Sequence, residues 1–285
     1  MSWIPLSQLG NPGNGNDIWG WVDPQTGDPY AILGLDTGTA FIRISDPENP
    51  IILGYLPTHT SASLWRDIKT YDNHAFIVSE AENHGLQVFD LTQLRGKTMP
   101  QTFNTVARLT DFGNAHNIWI NEASSFAYVM GSNLYAGGPV FIDISDPKNP
   151  KILGGYSMDR YTHDAHVVNY TGPDPEFQGK EIFFGSNSDG GENNRIVILD
   201  VTDKLNPSII STIDYSGSGY THQGFLTEDH RYFFLGDELD ELKFGLKTQT
   251  RIFDFSILKE PKLHFKYFSN FAALDHNGYI EGEYF

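Results

Sequence analysis

The chain has 285 residues, of which 14% are aromatic and 19% charged, with 28 Gly and 15 Pro. This composition favours many short strands joined by tight turns over long helices. The formal net charge of −17 argues against nucleic-acid binding, which needs clustered Lys and Arg. The charge is compatible with cation binding, although solubility alone would account for it. No Cys is present, which excludes disulfides, thiolate metal ligands and a Cys nucleophile.

The chain shows no candidate membrane segment and no signal peptide. No run approaches the ~18 apolar residues of a membrane span. The first ten residues, Met-Ser-Trp-Ile-Pro-Leu-Ser-Gln-Leu-Gly, lack the basic region and apolar core of a signal peptide. The sequence as written therefore predicts no membrane span.

One motif recurs along the chain, in Phe41–Pro50, Phe141–Pro150 and Ile198–Pro207, with weaker copies at Val88–Thr92 and Ile252–Ser256. Alternating β-branched and aromatic residues predict a strand with one buried face. Asp-Pro and Asn-Pro then end the strand, because Pro fixes φ and donates no hydrogen bond. A new apolar run follows each of the first two copies directly. The motif therefore predicts a strand, a tight turn and a further strand.

A second pattern places one polar, metal-capable residue at the head of a strand in each repeat. Aligned by their flanking residues, these are Asp17, Asp67, His116, His163, His222 and His276. Successive members lie 50, 49, 47, 59 and 54 residues apart. Each repeat contains about four strand signals; in the first they are Ile18–Val22, Tyr30–Leu35, Thr39–Ser45 and Ile51–Leu56. Repeats of about 50 residues with four strands are typical of β-propeller blades.

The sequence thus predicts an all-β, single-domain propeller with five complete blades and a partial sixth in this chain. The closed propeller is expected to have six or seven blades. The predicted blades span approximately residues 17–60, 64–112, 114–159, 161–215, 220–270 and 272–285, the last with about two strands. A short helical turn is compatible with Leu91–Leu94. A propeller closes because closure removes open sheet edges. The partial last blade therefore has two explanations: Trp3–Leu9 supplies a closing strand, or the sequence is a fragment. The strand-like ending Glu283–Phe285 favours the fragment.

The repeats resemble LVIVD repeats, and the whole pattern is similar to the choice-of-anchor B family of secreted propeller proteins. The matching stretches are Asp17–Trp21, Trp65–Ile68, Val78–Ala81 with His84-Gly85, Ala115–Asn117, Tyr161–Asp164, Thr227–Tyr232 with Gly236–Glu241, and Asp275–Asn277. The resemblance implies a bacterial, extracellular or surface-anchored protein whose chain continues beyond the Asp-His-Asn segment. It implies no established activity.

In a propeller the first strands of successive blades converge on the axis. The six aligned residues are therefore predicted to form a ring that binds a divalent metal. Imidazole suits Zn, Cu, Fe, Ni or Mn, and carboxylates suit Ca or Mn, so the identity of the ion stays open. His166, three residues after His163, cannot share its side of an ideal strand and is assigned a supporting role. The alternative is a purely structural network of hydrogen bonds between blades.

Weaker candidates flank this ring. Glu80, Glu82 and His84 are candidates for an acid/base group at the rim, or for a solvated turn. Arg66 could clamp an anionic substrate or pair with a carboxylate. Asp237 and Glu238, with Asp240 and Glu241, could bind Ca, which takes 6–8 oxygen ligands. Asp189 and Glu192 could do the same.

Two functions from different classes follow. The first is a secreted or surface-anchored propeller that binds a divalent metal at the channel and acts as a binding module for glycan or protein. The second is a metal-dependent enzyme, oxygenase-like or polysaccharide-lyase-like, with a His-ringed site at the channel mouth. The second rests on analogy between folds. The sequence shows neither a Gly-x-Ser-x-Gly nucleophile elbow nor a phosphate-binding loop.

Overall fold

The protein is an all-β propeller-type chain, as predicted, and its blades are five antiparallel sheets. A computed structural model describes residues 2–191 and 193–285. Glu192, one of the two predicted loop ligands for Ca, lies outside the described residues.

Each sheet contains four strands in sequence order or nearly so, and the first sheet gains a fifth, parallel strand. The first sheet has β1 (Gly15–Val22), β2 (Pro29–Leu35), β3 (Gly38–Arg43), β4 (Ile51–Pro57) and β8 (Gln101–Thr102). The second has β5 (Arg66–Tyr71), β6 (His74–Ser79), β7 (Leu86–Asp90) and β9 (Ala107–Leu109). The third has β10 (Asn117–Asn121), β11 (Phe126–Met130), β12 (Val140–Asp143) and β13 (Lys151–Gly155). The fourth has β14 (Thr162–Asn169), β15 (Glu181–Asn187), β16 (Arg195–Asp200) and β17 (Ser208–Asp214). The fifth has β18 (Thr221–Leu226), β19 (Tyr232–Asp237), β20 (Gln249–Asp254) and β21 (Lys262–Phe268).

The recurring motif forms the third strand of a sheet and the turn after it. In the first sheet, Phe41 pairs with Ile32 on one side and with Gly54 on the other. The Asp of the turn accepts hydrogen bonds that close it: Asp46 binds the side-chain amide of Asn49 at 2.9 Å. The motif is therefore a strand with its own turn chemistry, as its Pro and Asn residues predicted.

The Gly that recurs after the turn has a separate structural role, which the motif alone did not reveal. Gly54 has φ +147° and lies against the backbone carbonyl of Gln101. Gly154 lies in the same way against the carbonyl of Lys204. A Cβ atom at either position would collide with that carbonyl. These glycines let a neighbouring segment approach the outer strand closely.

The chain divides into two compact units, residues 1–134 with 142–152, and residues 135–141 with 153–285. The core of the first unit is aromatic and aliphatic; it contains Trp21, Tyr30, Ile32, Phe41, Leu53, Leu56, Ile68, Ala75, Ile77, Phe89, Leu91, Leu94 and Phe103. The core of the second contains Tyr170, Phe177, Ile182, Phe184, Ile196, Ile198, Leu226, Phe233, Leu235, Phe253, Phe255 and Leu258.

The ends and helices differ in part from expectation. The helical turn at Leu91–Leu94 is present as a 3-10 helix. A 3-10 turn occupies Leu6–Gln8 where a closing strand was one alternative. Residues 272–285 form only an isolated bridge, Glu281 to Tyr284, rather than about two strands. The longest described α-helix is α1 (Asp240–Phe244), so none of the described helices could cross a membrane.

Candidate metal centre

Strand pairing corrects the alignment of the six column residues. His166, on β14, pairs with Phe184, which pairs with Ile198 of the recurring motif. On β1 the equivalent residue is Trp19, which pairs with Ile32, which pairs with Phe41 of the motif. His163 is therefore equivalent to Asn16, three residues before Trp19, and not to Asp17.

Two adjacent columns replace the single one. The first is Asn16, Arg66, His116, His163, His222 and His276; the second is Asp17, Asp67, Asn117, Asp164, Gln223 and Asn277. The error arose because both columns hold polar residues, and a shift of one residue on a strand exchanges the two faces. Only the hydrogen-bond register separates the columns.

Hydrogen bonds confirm the second column. The side chain of Asp17 accepts from the backbone N–H of Ile68 at 3.3 Å. Gln223 Oε1 accepts from the N–H of Gly278 at 2.9 Å. In both cases the donor follows the next member of the second column by one residue. In the first unit the second column thus ties the head of β1 to β5, and in the second unit it ties β18 to the segment after β21, as the structural alternative proposed.

In the first unit this column also contains a buried charge network. Lys69 Nζ lies 2.7 Å from Asp67 Oδ1 and 4.0 Å from Asp17 Oδ2, and its ammonium stacks over the Trp19 ring at 4.4 Å. Burial and the adjacent charge of Asp67 raise the pKa of Asp17. Burial alone would raise the pKa of Asp67 as well, but Lys69 and the surrounding hydrogen bonds hold it below its usual value. The metal role predicted for Asp17 and Asp67 stays a prediction.

Glu80 and His84, predicted as members of one group, contact different residues in the first unit. Glu80 Oε1 lies 2.6 Å from His116 Nδ1. His84 is fully buried, and Arg66 Nη1 donates to its Nε2 at 3.1 Å. Burial, reinforced by the charge of Arg66, lowers the pKa of His84 to about 4. His84 therefore lies in the interior, and not in a solvated turn at the rim.

Arg66 fills the position that His occupies in later repeats. It is 1% exposed, and its guanidinium donates to the Leu35 carbonyl and the Thr58 hydroxyl as well as to His84. These hydrogen bonds connect Arg66 to separate segments in the interior of the first unit.

In the second unit the structure brings three column histidines together. The rings of His163 and His222 have centroids 4.3 Å apart, and those of His222 and His276 are also 4.3 Å apart. His163 Nδ1 donates to the His222 carbonyl at 2.8 Å, because a carbonyl can only accept. This bond places the lone pair of a neutral His163 on Nε2.

Glu238 completes a group of potential ligands with two of these histidines. Ligand atoms of His222, Glu238 and His276 all lie within 4.8 Å of one another. His222 Nε2 is 3.7 Å from Glu238 Oε2. Two ligands about 2.1 Å from a tetrahedral metal lie about 3.4 Å apart, so a small side-chain movement would close the site. His222 is buried, Glu238 half-buried and His276 exposed.

Local structure explains why Glu238 reaches the histidine. Thr221, at the head of β18, pairs with Asp237, the last residue of β19. The residue that follows the second strand of a hairpin therefore lies beside the start of the first strand. Glu238 was predicted among the weaker candidates beside the ring, and this pairing, which only the folded hairpin shows, makes it a candidate metal ligand.

His166 has a different environment from the other histidines. Leu226 N–H donates to its Nδ1 at 3.0 Å, and its ring stacks on Phe225 with a centroid distance of 4.0 Å. Burial, with a smaller contribution from His230, lowers the pKa of His166 to about 3. These contacts make it a neutral link between β14 and β18.

Several acidic residues at the end of β19 and just after it are buried. Asp237 is fully buried; it accepts from the backbone N–H groups of Gly219 and Tyr220 and from the Tyr215 hydroxyl. Burial, followed by the charge of Glu241, raises the pKa of Asp275 to about 8. Asp275 was not among the candidates, although it directly precedes His276.

Comparison with solved structures supports the fold. A protein from Lactobacillus plantarum is 13% identical, with a TM-score of 0.55, over 94% of this chain and 68% of its own. A hypothetical selenium-binding protein from Sulfolobus tokodaii is 12% identical, with a TM-score of 0.53, over 85% of this chain and 60% of its own. The nidogen/laminin complex structure includes a chain 10% identical, with a TM-score of 0.53, over 89% of this chain and 82% of its own.

At these identities the likeness shows a propeller-type fold alone. This chain spans 60–68% of the length of the first two of these proteins. No family model and no curated protein matches the sequence. The predicted resemblance to LVIVD-repeat proteins is therefore not supported by any match.

Proposed function

We propose that the protein is a propeller-type binding module that holds one divalent transition-metal ion on His222, Glu238 and His276. The observation that carries the proposal is the approach of these three ligand atoms to within 4.8 Å of one another. The proposed set keeps two of the six residues predicted as ligands and promotes Glu238 from a supporting role.

The donor chemistry fits such an ion. Two imidazoles and one carboxylate suit Zn, Fe, Mn or Cu better than Ca, which prefers oxygen ligands alone. His163 acts as a positioning residue, because it donates to the His222 carbonyl and packs against the His222 ring.

The exposure of the ligands supports a role in binding an external partner. His276 is exposed and Glu238 half-buried, so a metal with three protein ligands would keep an open position towards solvent. A glycan hydroxyl or a carboxylate of a cell-surface protein could occupy that position. We propose further that the protein is extracellular or attached to the cell surface, and that it is related to choice-of-anchor B proteins.

The same donor set supports a second candidate function. Two His and one carboxylate with open positions are the ligands of non-haem iron oxygenases. In that case the metal would supply Lewis-acid or redox chemistry. Multiple turnovers by the metal-loaded protein would favour this candidate over a binding module.

Metal analysis tests the proposal. The protein is stripped with a chelator, incubated separately with Zn²⁺, Mn²⁺, Cu²⁺ or anaerobic Fe²⁺, desalted and analysed by mass spectrometry of its metal content. We expect one equivalent of at least one ion, lost in His222→Ala, His276→Ala and Glu238→Gln.

Matched controls are His264→Ala and Glu260→Gln, which change an exposed His and an exposed Glu of the same unit. Both should retain the full equivalent. The proposal fails if the wild type retains no ion, or if the ligand variants retain as much as these controls.

A further inference from the structure

In three sheets a backbone carbonyl from a later segment of the chain contacts the outer strand. Gly54 lies against the Gln101 carbonyl, and Gly154 lies against the Lys204 carbonyl. In the fourth sheet, Ser211 donates its hydroxyl at 2.6 Å to a carbonyl 47 residues later. The residue at the contact is small in each case, so it leaves room for the approaching backbone.

Phe265 of β21 takes the position of these small residues in the fifth sheet. It pairs with Ile252 of the recurring motif, as Gly54 pairs with Phe41 of the first copy. In both sheets a register shift follows that pair directly. Phe265 is 56% exposed, and its ring would keep a backbone from approaching as closely as at Gly54. The fifth sheet therefore presents an aromatic side chain where three other sheets are contacted by backbone.

The sheet face that contains Phe265 is apolar, and its inner part is covered. Phe225, Phe234, Ile252 and Phe265 form one row of paired residues across the four strands. The rings of Phe225 and Phe234 contact aromatic rings of residues 272–285. The outer end of the row, at Phe265, is the exposed part of this face.

The strand that carries Phe265 also has a free edge. Within residues 2–191 and 193–285, the one strand that pairs with β21 is β20. The first sheet shows what such an edge can accept, because β8 adds to β4 there as a parallel fifth strand. Exposed edges offer unpaired N–H and C=O groups to another chain, and extended peptides bind sheets in this way.

This edge is basic in a chain whose net charge is −17. Residues 257–268 contain three Lys and one Glu. Lys259 forms an ion pair with Glu176. Lys262 and Lys266 do not belong to the Lys ion pairs found in the part of the chain that the structure describes. Two ammonium groups of the edge strand are therefore available to carboxylates of a partner.

We propose that β21 binds an extended acidic segment of a partner protein, which adds to the fifth sheet as a further strand. Lys262 pairs with Asp254 of β20, and Lys266 pairs with Arg251. Because these partners are three residues apart on one strand, the two Lys side chains extend from opposite faces of the sheet. Carboxylates on both faces of an added strand would complement them, and an apolar side chain would cover Phe265.

Charge and geometry favour this partner over two others. A lipid surface would contact one face of the sheet, whereas the Lys side chains extend from both. Pairing of β21 with β21 of a second copy would concentrate like charges at the contact, which destabilises a strand pair. An acidic strand meets neither difficulty.

The surface goes beyond the proposed metal site. None of His222, Glu238 and His276 belongs to β21. The contact would use backbone groups, Lys side chains and an exposed aromatic ring, and it needs no ion. The two proposals can therefore fail separately.

Fluorescence anisotropy tests the proposal with a labelled acidic peptide, Glu-Glu-Val-Thr-Val-Glu-Glu, blocked at both ends. We expect the full chain to bind this peptide and not the same peptide with Lys in place of Glu. Bound peptide should slow amide hydrogen exchange in β21 and leave β13 unchanged. The double variant Lys262→Glu/Lys266→Glu and the single variant Phe265→Ser should each weaken binding by about tenfold or more.

Lys151→Glu is the matched control. Lys151 is exposed and follows a Pro at the start of β13, as Lys262 does at the start of β21. This variant should bind the acidic peptide like wild type. His222→Ala should bind it equally well while losing its transition metal, which distinguishes failure of this proposal from failure of the metal site. Circular dichroism establishes that each variant is folded.

Several results would overturn the proposal. The first is that the acidic peptide does not bind at millimolar concentration, or that it binds wild type and the β21 variants equally. Binding of anionic phospholipid vesicles without binding of the peptide, lost in Lys262→Glu/Lys266→Glu, would assign the surface to lipid. Self-association in analytical ultracentrifugation, lost in Phe265→Ser, would assign it to a second copy of the chain.

Discussion

Asp67 Oδ2 accepts a hydrogen bond of 2.8 Å from the backbone N–H of Ile118, fifty-one residues away. Its other oxygen binds the ammonium of Lys69 at 2.7 Å. One buried carboxylate thus joins the inner strands of two successive sheets and compensates a buried cation. This arrangement predicts that Asp67 contributes to the stability of the fold.

Substitution of Asp67 should reveal that role. Asp67→Ala should lower the free energy of unfolding by about 3–5 kcal/mol, because it leaves Lys69 buried without its partner. Asp67→Asn keeps an acceptor for Ile118 and should cost less. Urea denaturation measures both, with Asp111→Ala, at an exposed position, expected within ±0.5 kcal/mol of wild type. Equal stability of Asp67→Ala and the control would contradict the assignment.

The motif glycines should tolerate no side chain. Gly54→Ala should destabilise the protein by about 1–3 kcal/mol, since the added Cβ meets the Gln101 carbonyl and the backbone has positive φ. Gly20→Ala is the control, because a Cβ at Gly20 has no atom within 4 Å. Thermal unfolding of the two variants should separate them; a matching loss in both would refute the close-approach explanation.

Acid should destabilise the second unit through His166. The folded-state pKa of about 3 lies below the ordinary value of about 6.5, so the unfolded state binds the proton more tightly. Stability from this residue is complete above about pH 6.5 and falls as the pH approaches 3, with a slope of about 1.4 kcal/mol per pH unit.

His166→Gln removes this titration while offering an acceptor to Leu226. Its stability should therefore decline less steeply than that of wild type between pH 6 and pH 4, in urea titrations at several pH values. The variant loses the ring stack on Phe225, so the slope and not the stability at pH 7 is the relevant quantity. Parallel slopes would show that His166 does not titrate as inferred.

Metal binding should itself be linked to stability and to pH. At a free metal concentration 100 times Kd, the transition-metal ion should stabilise the protein by about 2.7 kcal/mol. The gain should shrink as the pH falls, because protons compete with the metal for imidazole. Differential scanning fluorimetry with and without the ion checks this, and His276→Ala should show no shift. A shift of wild-type size in that variant would place the ion elsewhere.

The sequence was sufficient for the architecture. The repeat of about 50 residues, the strand-turn motif ending in Asn-Pro, and four strand signals per repeat all have local causes: side-chain alternation and the backbone limits of Pro. In the first sheet the predicted strands Tyr30–Leu35 and Ile51–Leu56 match Pro29–Leu35 and Ile51–Pro57 within one residue at each end. Local causes act within a few residues, so they can be read from the chain.

The candidate site was only partly predictable. The histidines stood out as repeated polar residues at strand starts, but their equivalence to Asn16 and Arg66 rather than Asp17 and Asp67 depends on hydrogen-bond register. A shift of one residue leaves the sequence pattern almost unchanged while it exchanges the two faces of a strand. The pairing of Thr221 with Asp237, which brings Glu238 to His222, likewise belongs to the folded hairpin.

By itself, then, the sequence determined the repeat, the strands and the set of residues able to bind metal, because these follow from composition and short-range sterics. Tertiary structure alone decided which of those residues meet. In the folded chain, His84 is buried against Arg66, and Asp17 and Asp67 bond to the next inner strand. The ligand atoms of His222, Glu238 and His276 lie within 4.8 Å of one another. Contacts between residues far apart in the chain depend on register and packing across strands, and neither is encoded in the local pattern.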